Sequence, residues 1–440
     1  MLFQDNQRFS YLNRFIGNYF TAGEKNVKKS KKQSVFKLGE PKTKLKCFNV
    51  KNLELDFRLN DISNLSTFSL ALPSFQNIQV LDLNLGANRI KDKDIPLLSS
   101  SIIKCEKLQK LTLDLQMNSF KDQSLSSLGS GLAQCPNLSY LALDLRLNNF
   151  DDAVYSSLGQ ALAKCTLLST FILDLRRLSN RNVYKIASAL DNKNNLKNLI
   201  LKLDQNKIGN DGAQYLFSQL AKCINLESLT LQLSFVMMED QVTSSFSFCF
   251  QKLTNLRLLD LNLSYNNLKG GKLVSSLGHA ITKFSHITTL KLDLKSLNLE
   301  DGKCLTDLGV RIASCDNLSN LEVDLENTYI EGYNVSIFFS TLSKSVSLSC
   351  LKLFLMSCNT ENDEFIIQIA KTLEKLKNIS NLTLDLGDNE IQDQGLNKLA
   401  LALKKCQKIE SLTLNLEQKN IYSFILQNQS TNNQKEQFIW

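Results

Sequence analysis

Proline is scarce in this chain, four in 440 residues, and so are histidine, with two, and tryptophan, with one. Four prolines and 17 glycines exclude collagen-like and Pro-rich architectures. His279 and His286 are too few for a zinc cluster and form no H-E-x-x-H. No C-x-x-C occurs, and no apolar run approaches the roughly 18 residues of a membrane-spanning helix. The first twenty residues, MLFQDNQRFSYLNRFIGNYF, have no continuous apolar core and no small-residue cleavage site, which argues against a secretory signal. Asp5 and the shortage of Ser and Arg make them a poor transit peptide as well. G-x-S-x-G and kinase motifs are missing. Lys269-Gly270-Gly271-Lys272 lacks the first Gly and the trailing Ser/Thr of a phosphate loop. Asp211-Gly212 and Asp301-Gly302 lack a calcium-ligand ladder upstream. No catalytic residue, cofactor or metal is expected.

What is present is ample apolar surface, 43% of residues, enough to exclude a disordered chain. The formal charge of +8 is confined to one end. Residues 1–50 hold eleven Lys+Arg against three Asp+Glu, and the remainder is balanced.

The pattern L-x-L-x-L recurs thirteen times, starting at Leu53, Leu81, Leu111, Leu141, Phe171, Leu199, Leu229, Leu259, Leu290, Leu321, Leu351, Leu382 and Leu412. Spacings of 28 to 31 residues hold from about residue 48 to 430, so this is an internal repeat. In Leu111–Leu115 the leucines alternate with Thr112 and Asp114, which reads as a strand with one buried face. Leu125, Leu128, Leu132 and Cys135 then follow one face of a helix. A strand followed by a helix, repeated, makes the strands parallel. Eleven residues after the strand starts stand Asn, Asp, Gly or Ser (Asp92, Asp122, Asn210 and Asp240 among them), which predicts helix N-caps there. Asn recurs seven residues after the start, as in Asn88, Asn118, Asn148, Asn206, Asn266 and Asn389. It is expected to satisfy backbone groups where the chain leaves the strand. Cys105, Cys135, Cys165, Cys223, Cys315 and Cys406 all lie six residues before a strand start. A cysteine locked to one repeat position reads as a small core residue, and implies a reducing compartment.

LQKLTLDLQMNSFKDQSLSSLGSGLAQCPNL (108–138) resembles the leucine-rich repeat, L-x-x-L-x-L-x-x-N, in its ribonuclease-inhibitor-like form. The resemblance covers about 380 residues. It implies an α/β horseshoe solenoid with a parallel β-sheet on the concave side and helices on the convex side. This chain departs in one respect. Leu113-Asp-Leu-Gln-Met-Asn118 carries two extra residues before the Asn, which predicts a longer strand with a third inward leucine. The organisation expected is a cap and Lys-rich segment over 1–47, repeats over 48–430 and a polar tail over 431–440.

The resemblance implies a non-enzymatic scaffold that binds a protein partner on the concave face. Seven of the thirteen central exposed strand positions are Asp. Asp114, Asp144, Asp174, Asp293, Asp324 and Asp385 form a strip suited to a basic partner, or a solvated motif copied by duplication. Arg146 and Arg176, two residues past Asp144 and Asp174, are placed to relieve their repulsion. Phe354 and Met356 interrupt the polar ladder, as apolar anchors for a partner or as a patch covered by the C-terminal tail. A second function comes from the same resemblance, since such repeats also occur in activators of small GTPases. Arg176, Arg177 and Arg181 are the one cluster to nominate for that role, and the acidic C-terminal tail of that group is missing.

Phe9, Leu12, Phe15, Ile16, Tyr19 and Phe20 follow helical spacing over residues 7–20, which suits a cap on the first repeat or a membrane-surface contact. Residues 24–46, with nine Lys including Lys28, Lys29, Lys31 and Lys32, read as a solvated linker, a nuclear import signal or a patch folded back on the acidic strip. Nucleic acid is not the expected partner, because no aromatic platform or interleaved arginine accompanies the lysines. The expected location is cytoplasmic, or nuclear if the lysines act as an import signal.

Overall fold

The computed structural model describes residues 50–151, 154–269, 271–299, 302–328, 332–358, 363–416 and 436–438. The expected helix over 7–20 and the Lys-rich 24–46 lie outside them. The chain divides into two compact units, Met1–Leu196 and Lys197–Trp440.

In the first unit, strands β1 (Asn52–Asp56), β2 (Val80–Asn84), β3 (Lys110–Asp114), β4 (Tyr140–Asp144) and β5 (Thr170–Asp174) pair in parallel. Each strand start faces the next, as in Leu111 against Leu141. Helices Ser66–Ala71, Asp94–Ile103, Asp122–Leu132 and Val154–Ala163 alternate with them, and a 3-10 helix, Val183–Leu190, follows β5. The second unit repeats the scheme. Its strands are β6 (Asn198–Lys202), β7 (Ser228–Gln232), β8 (Leu258–Asn262), β9 (Thr289–Asp293), β10 (Asn320–Asp324), β11 (Cys350–Phe354), β12 (Asn381–Asp385) and β13 (Ser411–Asn415). All are parallel. Residues Glu436–Phe438, within the expected polar tail, form β14 beside β13.

The inward leucines make the core. Leu111, Leu113 and Leu115 are 0 to 1% exposed, and burying each such side chain contributes about 1.5–3 kcal/mol. The third leucine is inward as expected, and the ladder runs on past the strand. Leu115 donates its N–H to Asp144 O at 2.9 Å, as Leu85 does to Asp114 O at 2.8 Å.

Two residues further on, each repeat bends through the left-handed region. Leu59, Ala87, Met117, Leu147, Arg177, Gln205, Phe235, Tyr265, Ser296, Asn327, Ser357 and Asp388 have φ of 51–60°. All lie six residues after a strand start, and none is glycine. Bulky side chains there cost roughly 1–2 kcal/mol, so other contacts hold the corner. In seven of these twelve repeats the next residue is the recurrent Asn, and it holds the corner. Asn266 Nδ2 donates to Leu233 O, Leu263 O and Ser264 O at 2.8, 2.8 and 3.3 Å. Its Oδ1 accepts from the amides of Val236 and Met238 at 3.2 and 3.1 Å. One side chain thus serves its own turn and the turn of the preceding repeat. Asn88, Asn118, Asn148 and Asn389 make the same two-repeat contacts. In the other five repeats the position is Leu178, Val236, Leu297, Thr328 and Cys358, all buried except the half-buried Leu178.

The expected N-caps are corrected by the structure. Asn182 alone among the described candidates stands at the N-cap position, and Asn64 alone among them bonds a helix-start amide of its own repeat, its Oδ1 accepting from Ser66 N at 2.8 Å. The carboxylates and amides reach instead into the next repeat. Asp122 Oδ1 accepts from Asp151 N at 2.9 Å, Asn210 Oδ1 from Glu239 N at 2.8 Å and Asp240 Oδ1 from Lys269 N at 2.9 Å. A short acceptor at this position is therefore explained by stapling repeats together. The repeat cysteines are free and sit at helix ends. All but the half-buried Cys406 are buried. Burial pushes the Cys105 and Cys315 thiols up to about 11 and Cys135 to about 12, which keeps them unreactive.

Candidate functional site: the open face of the strands

Because side chains alternate along a strand, the residues between the leucines stand on the face away from the helices. In the first unit Asp114, Asp144 and Asp174 are direct neighbours in register. Each turns back on its own chain, and their Oδ1 atoms accept from the amides of Gln116, Arg146 and Arg176 at 2.9, 3.1 and 3.2 Å. Asp56, Asn84, Asn262, Asp293, Asp324 and Asp385 make the same bond two residues ahead. Asp and Asn recur at this position for a local reason, which is to hold the amide at the strand exit.

The arginines do relieve the first-unit carboxylates. Arg146 Nη2 lies 2.6 Å from Asp144 Oδ2, and its Nε lies 3.3 Å from Asp174 Oδ2. Arg176 Nη2 is 2.7 Å from Asp174 Oδ2. Hydrogen bonding to Asp144 holds the Arg146 guanidinium above its usual pKa. Asp174 is buried among these partners. The strip in this unit is largely neutralised from within, and Arg176 is committed to it.

The second unit differs. One row of its open face alternates in sign, Asp260, Lys291, Glu322, Lys352, with Glu322 Oε2 3.6 Å from both lysine ammoniums. Another row pairs Lys295 with Glu326. Between them Asp293 and Asp324 face each other across β9 and β10. Burial raises both carboxyls, Asp324 to about 6, with the charge of Asp293 adding to the rise at Asp324. Asp260 is raised by burial too. These residues line a cavity of about 180 Å³ with Gln232, Asn262 and Phe354. Phe354 registers between Asp324 and Asp385, and Asp385 accepts from Asn415 Nδ2 at 2.9 Å. Met356, half-buried, follows β11. Lys28, Lys29, Lys31 and Lys32 lie outside the described residues.

The left-handed corners supply residues that the sequence reading missed. The corner aims its side chain outward, so Leu59, Met117, Leu147, Phe235 and Tyr265 are exposed at the strand exits. Counting six residues from each strand start would have found the row, but no residue type marks it. A helix-side groove of about 510 Å³ lies between helix Val154–Ala163 and the 3-10 helix, lined by Gln160, Lys164, Thr166, Ser188, Asp191 and Asn192. Among the described residues no three His, Cys, Asp or Glu are placed to hold a metal ion, and no helix is long and apolar enough to cross a membrane.

No protein-family model matches the sequence, and no curated protein matches it. Among solved structures, the functional domain of InlJ from Listeria monocytogenes, described as including a cysteine ladder, matches at 14% identity and a TM-score of 0.41. The match covers 82% of this chain and 68% of that one. So loose a likeness carries no argument about ligand or function. The alternation of parallel strand and helix, with its inward leucines and Asn ladder, is by its own geometry a leucine-rich-repeat solenoid in each unit.

Proposed function

We propose that this protein is a non-enzymatic scaffold that binds a protein partner on the open face of its strands, and that its repeats are of the ribonuclease-inhibitor-like kind. One observation carries the reading. Row after row of polar, charged and aromatic side chains stands in register about 4.8 Å apart on strands locked by a leucine core and the Asn ladder. Such a surface is rigid before the partner arrives, which lowers the entropy cost of binding. The free buried thiols support a reducing compartment for it. The GTPase-activator reading has less behind it, because Arg176 is tied to Asp174 and an arginine acting on a nucleotide needs a free guanidinium.

The test is affinity capture from native lysate with the intact chain, followed by identification of the bound proteins. A matched chain carrying Lys at Asp293, Asp324 and Asp385 provides the comparison. A specific set of proteins is expected on the intact chain and lost from the variant. An identical set on both would overturn open-face binding, and stimulated turnover of a GTPase panel would overturn the scaffold assignment.

A further inference from the structure

Phe235 and Tyr265 occupy consecutive left-handed corners of the second unit and stack with ring centroids 4.3 Å apart and planes 12° from parallel. Both remain exposed, and Met237 beside them is 64% exposed. A stacked aromatic pair open to water is costly, and such pairs are what interfaces use as anchors. The Lys295 ammonium stands 5.9 Å from the Tyr265 ring centroid, and the Lys295 amide donates to Asp293, which lines the cavity with Asp260, Asn262, Asp324 and Phe354.

The charges around that cavity are uneven. Its flanking rows are compensated, by alternation through Lys291, Glu322 and Lys352 on one side and by the Lys295–Glu326 pair on the other. Asp293 and Asp324 are adjacent like charges, and neither is ion-paired among the described residues. Like charges directly opposite on neighbouring strands destabilise a sheet. Positive charge brought between them removes that cost. The described residues offer no metal-binding group of three, whereas the aromatic wall of Phe354 suits an organic cation with an apolar stem.

We propose that β7 to β11 form a docking surface for an extended peptide that sets a lysine or arginine between Asp293 and Asp324 and an apolar side chain against the Phe235–Tyr265 step. This rests on the scaffold reading and narrows it to one place and one partner chemistry. Five strands span roughly 19 Å, the length of about six extended residues.

The test uses a fluorescein-labelled hexapeptide of alternating Leu and Arg, read by fluorescence polarisation at physiological salt against the full chain. The Leu-Glu peptide is the control. Asp293→Asn with Asp324→Asn removes the charges while leaving oxygens for the Lys295 and Glu326 amides. Phe235→Ala with Tyr265→Ala removes the step. Binding of the Arg peptide alone, weakened at least tenfold by each pair of changes in chains that unfold at unchanged or higher temperature, is the expected result. No binding of the Arg peptide, or equal binding by the Asn variant, would overturn the proposal. Cellular proteins captured equally by intact and Asn-variant chains would sink this docking surface and leave the scaffold reading standing. A chain that captures nothing would sink both.

Discussion

Lys193 is the residue whose loss tests the packing argument most directly. It lies six residues before Leu199, the position that holds Cys in the preceding three repeats, and it is 3% exposed. Its ammonium donates to Leu162 O at 2.7 Å, Cys165 O at 2.8 Å and Ala163 O at 3.1 Å, at the end of helix Val154–Ala163. Leu162 O and Cys165 O also accept from the amides of Cys165 and Leu168 at 3.0 and 3.4 Å, so the ammonium adds bonds at the negative end of the helix dipole. Lys193→Met keeps the length of the side chain and removes all three donors. Hydrogen bonds to a charged group contribute about 1.5–3 kcal/mol each, but removing the ammonium also removes its own burial cost. Ala163 O is half-open to water, so a solvent molecule partly replaces that bond. The net loss is then about 2–4 kcal/mol. Urea unfolding followed by circular dichroism measures it, and hydrogen exchange of amides in helix Val154–Ala163 locates it. A midpoint within about 0.5 kcal/mol of the parent, with unchanged exchange there, would refute the idea that the ammonium is a structural cap.

Three further outcomes follow from the same contacts. Asn266→Asp keeps the acceptor but replaces the donor to three carbonyls with a second oxygen, so a loss of about 2–4 kcal/mol is expected. Thermal unfolding near pH 7 checks it, and Asn266→Asp unfolding within a degree of the parent would discount the ladder. Leu147→Asn relieves a left-handed leucine at φ 55° and should stabilise by up to about 1 kcal/mol; lower stability would show that its exposed side chain packs on something. The folded-state pKa of Asp324 is raised to about 6 from an ordinary 3.8. The proton is therefore held more tightly when folded, and that stability is present below pH 4 and lost as pH rises through 6. Asp324→Asn should then raise the unfolding temperature at pH 8 more than at pH 4, and an equal effect at both would contradict the burial argument.

Much of the architecture is legible residue by residue. The strand at Leu111–Leu115 and the third inward leucine are written in a period of two, because a pleated backbone admits no other way to bury alternate side chains. The Asn ladder and the helix-end cysteines show as residue types locked to one position. Asp92, Asp122 and Asp240 mislead because a short acceptor suits a cap within one repeat and a staple between two equally well; one sequence cannot show which amide comes within reach. The corner at Leu147 and Tyr265 leaves no mark for a different reason. Left-handed backbone normally selects glycine or asparagine, and here the fold imposes it on whatever residue stands six after the strand start.

The open face divides in the same way. That Asp114, Asp144 and Asp174 stack, and that Arg146 and Arg176 stand two residues beyond Asp144 and Asp174, follows from repeat spacing alone. That the arginines neutralise this strip, while Asp293 and Asp324 have no ion pair among the described residues, depends on where long side chains swing across neighbouring strands. The sequence by itself determined the period, the strand and helix alternation and the inward faces, because these are one-dimensional consequences of hydrophobic spacing. Only tertiary structure decided which charges meet. Partners some 30 residues apart in sequence become neighbours about 5 Å apart in space, and their pairing is set by the register between repeats.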